Sequence, residues 1–297
     1  MFPIIPANTL VETGNQEGIF GFGSVPGVTG ITNLVSNAGV VATDTAGVGT
    51  ARQSLAATQY GGDKGIFGFG NDGSVCDITN LVSNAGVVAS DVTGVGTARS
   101  HLAACSYGGD KGIFGFGTTG SRVSTTNLVS NAGVVASDTT GVGTARESLA
   151  ACEYGGDKGI FGFGNTGHPT YVSTTNLVSN AGVVATDTTG VGTDRNPEAC
   201  SYGSDKGIFG YGATASVFSM TNLVSNAGVV GTDVTGVGTA RYGLAACEFG
   251  DDKGIFGYGY SGGGASMTNL VSNAGVVATD TTGVGTGRYY LAACSFN

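Results

Sequence analysis

The sequence predicts an all-β protein built from six repeated units, and three observations carry that prediction. The phrase TNLVSNAGVV begins at Thr32, Thr79, Thr126, Thr175, Thr221 and Thr268 without a change. Arg52, Arg99, Arg146, Arg195, Arg241 and Arg288 follow the copies at spacings of 47, 47, 49, 46 and 47 residues. Between these marks lie short apolar runs divided by Gly and Asn, which are strand-sized and too brief for helices. Four runs per unit, in units of about 45 residues, predict a β-propeller. Six copies make it six-bladed, with four antiparallel strands per blade.

The first run is LAACSY, and GGDK leads from it to the second, GIFGFG. In the second run Ile66 and Gly68 fall on one side, Phe67 and Phe69 on the other. Both faces are apolar or small, so this strand is expected to be buried on both. TNLVS is the third run and VVATD the fourth. SNAG between them suits a tight hairpin with Gly at the positive-φ position. The first unit begins at its second run, EGIFGFG (17–23), and the last contributes only a first run, YYLAACSF (289–296). Together they make a sixth blade, with the C-terminal strand joining the N-terminal blade to close the ring. The domain division that follows is an irregular N-terminal arm over 1–16 and one propeller over 17–297.

Composition narrows the function classes. Gly is 56 of 297 residues, well above the usual share of about 7%, yet without the G-X-Y period of collagen. Hydrophobic residues are 40%, with 14 Phe and 11 Tyr, enough for a packed core. The net charge of −9 and the lack of a basic run argue against nucleic acid and against anionic membrane surfaces. No run approaches the length of a membrane-spanning helix. MFPIIPANTLVETGNQ lacks a charged n-region, so no secretion signal is expected. Cytosolic synthesis is the expectation, with packaging in a virion as a route out.

Eleven of the 12 cationic residues belong to the repeat: the six Arg and Lys64, Lys111, Lys158, Lys206 and Lys253, each Lys preceded by Asp. An Asp also recurs in each fourth run, from Asp44 to Asp280. A charged funnel for an anion is one reading. The simpler one is architectural, because a residue needed in every blade most economically ties blades together. Cys105, Cys152, Cys200, Cys247 and Cys294 share one repeat position, where the remaining unit has Thr58. Equivalent positions on neighbouring blades should exceed the roughly 7 Å Cα limit for a disulfide, so free thiols in the core are expected. No metal or cofactor site is expected.

Variation concentrates in two places: the segment between the second and third runs, and the residues following each Arg. In an up-and-down blade both emerge on one face. Variable loops on a rigid scaffold are a common plan for binding proteins. Here they carry His101, His168, Tyr171, Phe218, Tyr242, Tyr260, Tyr289 and Tyr290. Tyr and His pair a flat apolar face with a hydrogen-bonding group, which suits sugars and protein surfaces. Unconstrained drift of the loops is the alternative.

At ARSHLAACSYGGDKGIFGFG (98–117) the unit resembles a kelch repeat: an Arg before the innermost strand, a small-residue strand, a short turn, then a hydrophobic strand ending in Gly. The resemblance extends over 17–297 and implies the propeller fold. The chain departs from kelch in having no Trp, no aromatic on the fourth strand, and GFG or GYG in place of paired Gly. The wording SNAGVVATDTTGVGTAR…GDKGIFGFG also resembles repeat proteins encoded by marine tailed phages and related metagenomic sequences.

No triad, H-E-x-x-H or calcium-loop motif appears, and no acidic pair stands out for glycoside hydrolysis, so an enzyme is not expected. The expected function is a non-catalytic recognition or adhesion module. It would bind a glycan or protein through the variable face, as a phage tail or virion component, with the arm docking on an assembly partner. The alternatives are a self-assembling structural scaffold or an engineered consensus propeller without ligand.

Overall fold

The computed structural model describes residues 16–296, which form only strands, turns and loops. The expected arm over 1–16 lies outside the described residues except for Gln16, whose carbonyl accepts from the Gly250 amide. No described helix is long and apolar enough to cross a membrane.

The strands group into small antiparallel sheets. In chain order, β1 (Glu17–Gly21) pairs with β2 (Thr32–Val35). Next come β3 (Ala56–Tyr60), β4 (Lys64–Asn71) and β5 (Val75–Val82), then β6 (Ala103–Tyr107), β7 (Lys111–Gly115) and β8 (Thr126–Val129). β9 (Ala150–Tyr154) and β10 (Lys158–Gly162) are separated from their partner β13 (Thr175–Val178) by a hairpin, β11 (Asn165–Gly167) and β12 (Thr170–Tyr171). β14 (Asn196–Tyr202), β15 (Lys206–Ala213) and β16 (Thr221–Val224) follow, then β17 (Ala245–Phe249), β18 (Lys253–Gly257) and β19 (Thr268–Val271). The last strand, β20 (Ala292–Phe296), returns to the first: Phe20 lies opposite Ala293 and Glu17 opposite Phe296. The described residues thus hold six three-stranded sheets and one two-stranded hairpin.

Three strands per sheet, not four, is a correction to the sequence expectation. The fourth run touches the third only at isolated bridges, such as Val35 with Val41 and Thr32 with Thr45. These two bridges differ in register by one residue, so an extra residue breaks the ladder between them. The Asn of TNLV fills the gap: Asn33 Nδ2 donates to the Ala42 carbonyl at 3.0 Å and to Asp44 Oδ1 at 2.9 Å. A side chain replaces backbone pairing at each equivalent position, for example from Asn80 and Asn127. The SNAG hairpin is as expected, with Gly39 at φ 74° and its counterparts alike.

The core lies between sheets. One cluster joins Ile19, Phe22 and Cys294 of the first sheet to Phe67 and Val82 of the second. Five more join the remaining neighbours, and the last joins Ile255 and Tyr258 back to Phe20 and Val35. The sheets therefore form a circuit through side-chain packing, while no sheet closes on itself by backbone pairing.

Two glycines of GIFG make this approach close enough. A Cβ on Gly21 would lie 2.7 Å from Phe67 Cζ of the next sheet, and a Cβ on Gly65 would lie 2.5 Å from Cys294 Sγ of the previous one. Each Phe and each Cys thus sits where its neighbour has no side chain. This accounts for the small core thiol at that position, and all six Cys are free.

Candidate recognition surface

The site is built on the repeated Arg. Each of the six is fully buried. Arg52 Nε donates to the Phe69 carbonyl of its own sheet at 2.8 Å, and its guanidinium stacks 4.3 Å from the Phe22 ring centroid of the preceding sheet. The other five repeat this arrangement, with Tyr211 and Tyr258 as the stacked ring for Arg241 and Arg288. The carbonyl is available because the aromatic of GFG adopts left-handed backbone, as at Phe69 with φ 62°. A desolvated cation–π contact contributes about 2 kcal/mol. Side chains with no exposed area cannot form an anion funnel at a surface.

The fourth-run Asp fixes the segment leading into the Arg. Asp91 accepts from the Thr50 amide and hydroxyl, the latter at 2.7 Å, and the Thr50 carbonyl accepts from Arg52 Nη1. Burial pushes the Asp91 pKa up, but the Thr50 and Asn80 hydrogen bonds outweigh it and hold it below the ordinary value. The Asp-Lys turns are different. Lys111 and Asp110 pair at 2.6 Å with both side chains more than a third exposed, so they form a solvated rim.

With each Arg anchored, the residue two places on is carried to the mouth of an axial opening. Ser54, His101, Ser148, Gly243 and Tyr290 occupy this position with φ between 52° and 60°. Their backbones bond to one another: Tyr290 donates to Gly243, Ser54 to Tyr290, His101 to Ser54 and Ser148 to His101, at 2.7–2.9 Å. The series is interrupted at Pro197, which has no N–H to give. The two variable segments also meet, as expected for one face. Bridges link Gln53 with Asn71, Ser100 with Thr118, Glu147 with Asn165 and Tyr242 with Tyr260.

The structure brings five of the eight sequence-predicted residues together. Tyr242, Tyr260, Tyr289 and Tyr290 form a closed set of ring contacts at centroid distances of 5.2–6.1 Å. His101 joins through Tyr290 at 5.8 Å. Burial, followed by the neighbouring Tyr242 and Tyr289, pushes the Tyr290 pKa up to about 12. His168 and Tyr171 pair with each other on the β11–β12 hairpin at 6.2 Å. Phe218 stands apart, half-buried in its own loop, with its amide bonded to the Gly212 carbonyl at 2.8 Å.

His101 lies between two hydroxyls, Ser54 Oγ 3.1 Å from Nε2 and Ser100 Oγ 3.2 Å from Nδ1. Nothing in the sequence announces the Ser54 contact, which crosses from one unit to the next. Burial lowers the His101 pKa, so the ring is neutral at neutral pH. Ser100 holds Nδ1 where a serine hydrolase places a carboxylate, and a neutral hydroxyl cannot stabilise an imidazolium as a carboxylate does.

Sequence reading also missed the interior. Below the mouth cavity of about 90 Å³ lies an axial cavity of about 110 Å³, and the leucines Leu55, Leu102, Leu149 and Leu291 line both. The axial walls carry Gln59, Glu153 and Glu248. Burial raises the pKa of Glu153 against hydrogen bonds from Ser106 and Gln59, and raises Glu248 to about 8, with Glu153 adding to it. Glu198 lines both cavities and is the one polar residue that does so. It lies opposite Gly210, as Ala56 lies opposite Gly68, so it replaces a small residue of the repeat. Alignment of the units within the chain could have exposed it, but a one-residue deletion after Arg195 shifts the frame. Among the described residues, no group of three or more His, Cys, Asp or Glu is placed to hold a metal ion.

Comparison with known proteins finds no matching family for this chain, and no curated protein matches it.

Proposed function

We propose that the chain is a six-bladed, kelch-like β-propeller that acts as a non-catalytic recognition module, holding a glycan on the aromatic face at its mouth. The observation that carries this reading is the contiguous array of Tyr242, Tyr260, Tyr289 and Tyr290, extended by His101. Flat rings with polar edges stack on sugar faces and bond their hydroxyls. The cyclic packing of the sheets and the pairing of β1 with β20 support the propeller. The neutral His101, held by hydroxyls, supports binding over catalysis. The likeness of the repeats to tailed-phage proteins supports a place on a virion, with the N-terminal arm as the assembly contact.

A glycan array tests the reading. Wild type should give signals that Tyr290→Ala and Tyr260→Ala each lower at least tenfold. An array without signal, beside capture of a protein ligand that the same variants abolish, would transfer the site to protein recognition.

A second reading, a self-assembling scaffold, is favoured by one feature. Val40, Val87, Val134, Val183, Val229 and Val276 recur at 64–65% exposure beside the SNAG hairpins, an apolar position repeated in every unit. Light scattering across a concentration series tests it: a mass of 29.2 kDa throughout excludes assembly by this chain alone.

A further inference from the structure

The mouth holds an aromatic wall and a carboxylate that has no countercharge among the described residues. Glu198 makes no hydrogen bond or ion pair with any described side chain, and burial alone raises its pKa well above the ordinary value. Every Lys and Arg among the described residues is engaged elsewhere. The six repeat Arg are buried against aromatic rings, the five Lys pair with the Asp beside them, and Arg122 pairs with Glu147 at 2.7 Å. His101, which lines the same cavity, is pushed toward its neutral form by burial. The carboxylate is also specific to one unit, since the equivalent positions are Ala56, Ala103, Ala150, Ala245 and Ala292. Architecture therefore does not require it.

We propose that the mouth recognises a primary ammonium group carried on a sugar ring, as in a glycan containing non-acetylated hexosamine. This deepens the glycan reading above and rests on it. The ammonium enters the mouth cavity toward Glu198, between the rings of Tyr242 and Tyr290, which line the same cavity. A cation over tyrosine faces gains from the ring quadrupole, and more so when water is excluded. The sugar ring stays outside on the tyrosine array. The cavity of about 90 Å³ is smaller than the roughly 300 Å³ of sites that engulf a whole ligand, so it admits only the charged tip. Burial favours the protonated form of Glu198 without ligand; the ammonium's charge shifts the balance toward the carboxylate that pairs with it, so binding releases protons.

The test compares a glucosamine tetramer with its fully N-acetylated counterpart at about pH 6, where amines of this kind are charged. The chain has no Trp and 11 Tyr, so tyrosine fluorescence reports binding directly. Wild type should bind the amine form at least tenfold more tightly, with proton release in calorimetry across buffers of different ionisation enthalpy. Glu198→Ala installs the residue of the other units and should fold normally. It should bind both tetramers alike and release no proton. Equal binding of the two forms by wild type, or discrimination retained in Glu198→Ala, overturns the ammonium proposal and leaves the glycan reading standing. Binding of neither form, with no other glycan bound on the array, overturns both.

Discussion

Phe20 Cζ lies 2.6 Å from the point where Gly257 would carry a Cβ. One residue is in the first strand of the chain and the other in the eighteenth, and their contact completes the circuit of sheets. Every other neighbouring pair repeats it, from Phe67 on Gly21 to Phe256 on Gly210. The aromatic ring of one sheet occupies the space that a missing side chain leaves in the next.

Gly257→Ala should therefore destabilise the protein by about 1–3 kcal/mol, the usual range for overpacking a filled core. Phe20→Leu removes the ring atom that clashes, so the double variant should lose less than the sum of the singles. Urea midpoints for the four proteins measure the coupling. Additive losses would mean that the two residues do not meet.

Arg288→Met should cost about 3–5 kcal/mol. It removes the donor to the Phe22 carbonyl, now at 2.9 Å, and the cation stacked 4.2 Å from the Tyr258 centroid. The carbonyl is left buried without a partner, and removing half of a buried charged interaction usually costs this much. Arg288→Lys should recover little, because an ammonium cannot reproduce the planar stack and the Nε bond together. Thermal unfolding of both variants checks this.

Stability should fall as pH rises from about 5 to 8. Burial raises the folded-state pKa of Glu153, Glu198 and Glu248, the last to about 8. Below the unfolded value, near 4.5, both states hold these protons and nothing is lost. Above it the unfolded chain releases protons that the folded protein keeps, and stability declines until the folded pKa is passed. Asp44 and its counterparts act in the opposite sense and only on the acid side. Their folded pKa lies below 3.8, because Thr and Asn hydrogen bonds outweigh the burial that pushes it up, so their contribution disappears as pH falls. Glu248→Gln should flatten the neutral-side decline by several °C, at roughly 2–4 °C per kcal/mol for a chain of this size. Melting temperatures at pH 5 and 8, taken as about the two ends of the window, decide the matter.

Thiol labelling should separate Cys76 from the other five. Cys105, Cys152, Cys200, Cys247 and Cys294 are buried against neighbouring sheets, and burial pushes their pKa up, to about 12 at Cys152 and Cys294. Cys76 is half-buried. Native protein at neutral pH should therefore modify slowly and only at Cys76, with the remaining thiols released in denaturant. Mass spectrometry of the labelled chain reads the sites.

The sequence by itself determined the unit, its first three strands and the pairing of the first described strand with the last, because those follow from a repeat visible in one dimension. Ile66, Phe67 and Phe69 announce a strand buried on both faces, and β1 and β20 pair at Phe20 and Ala293 as the split unit requires. The fourth run escaped because VVATD is as apolar as a strand, and only the bulge and the Asn33 bonds show that its ladder is broken. Tertiary structure alone decided which variable residues form a surface. Tyr242, Tyr260, Tyr289 and Tyr290 converge while Phe218 does not, since closeness across units depends on how neighbouring sheets pack on one another. It also decided the status of Glu198, whose neighbours come from several units and whose lack of a countercharge is a property of the space around it, not of any stretch of chain.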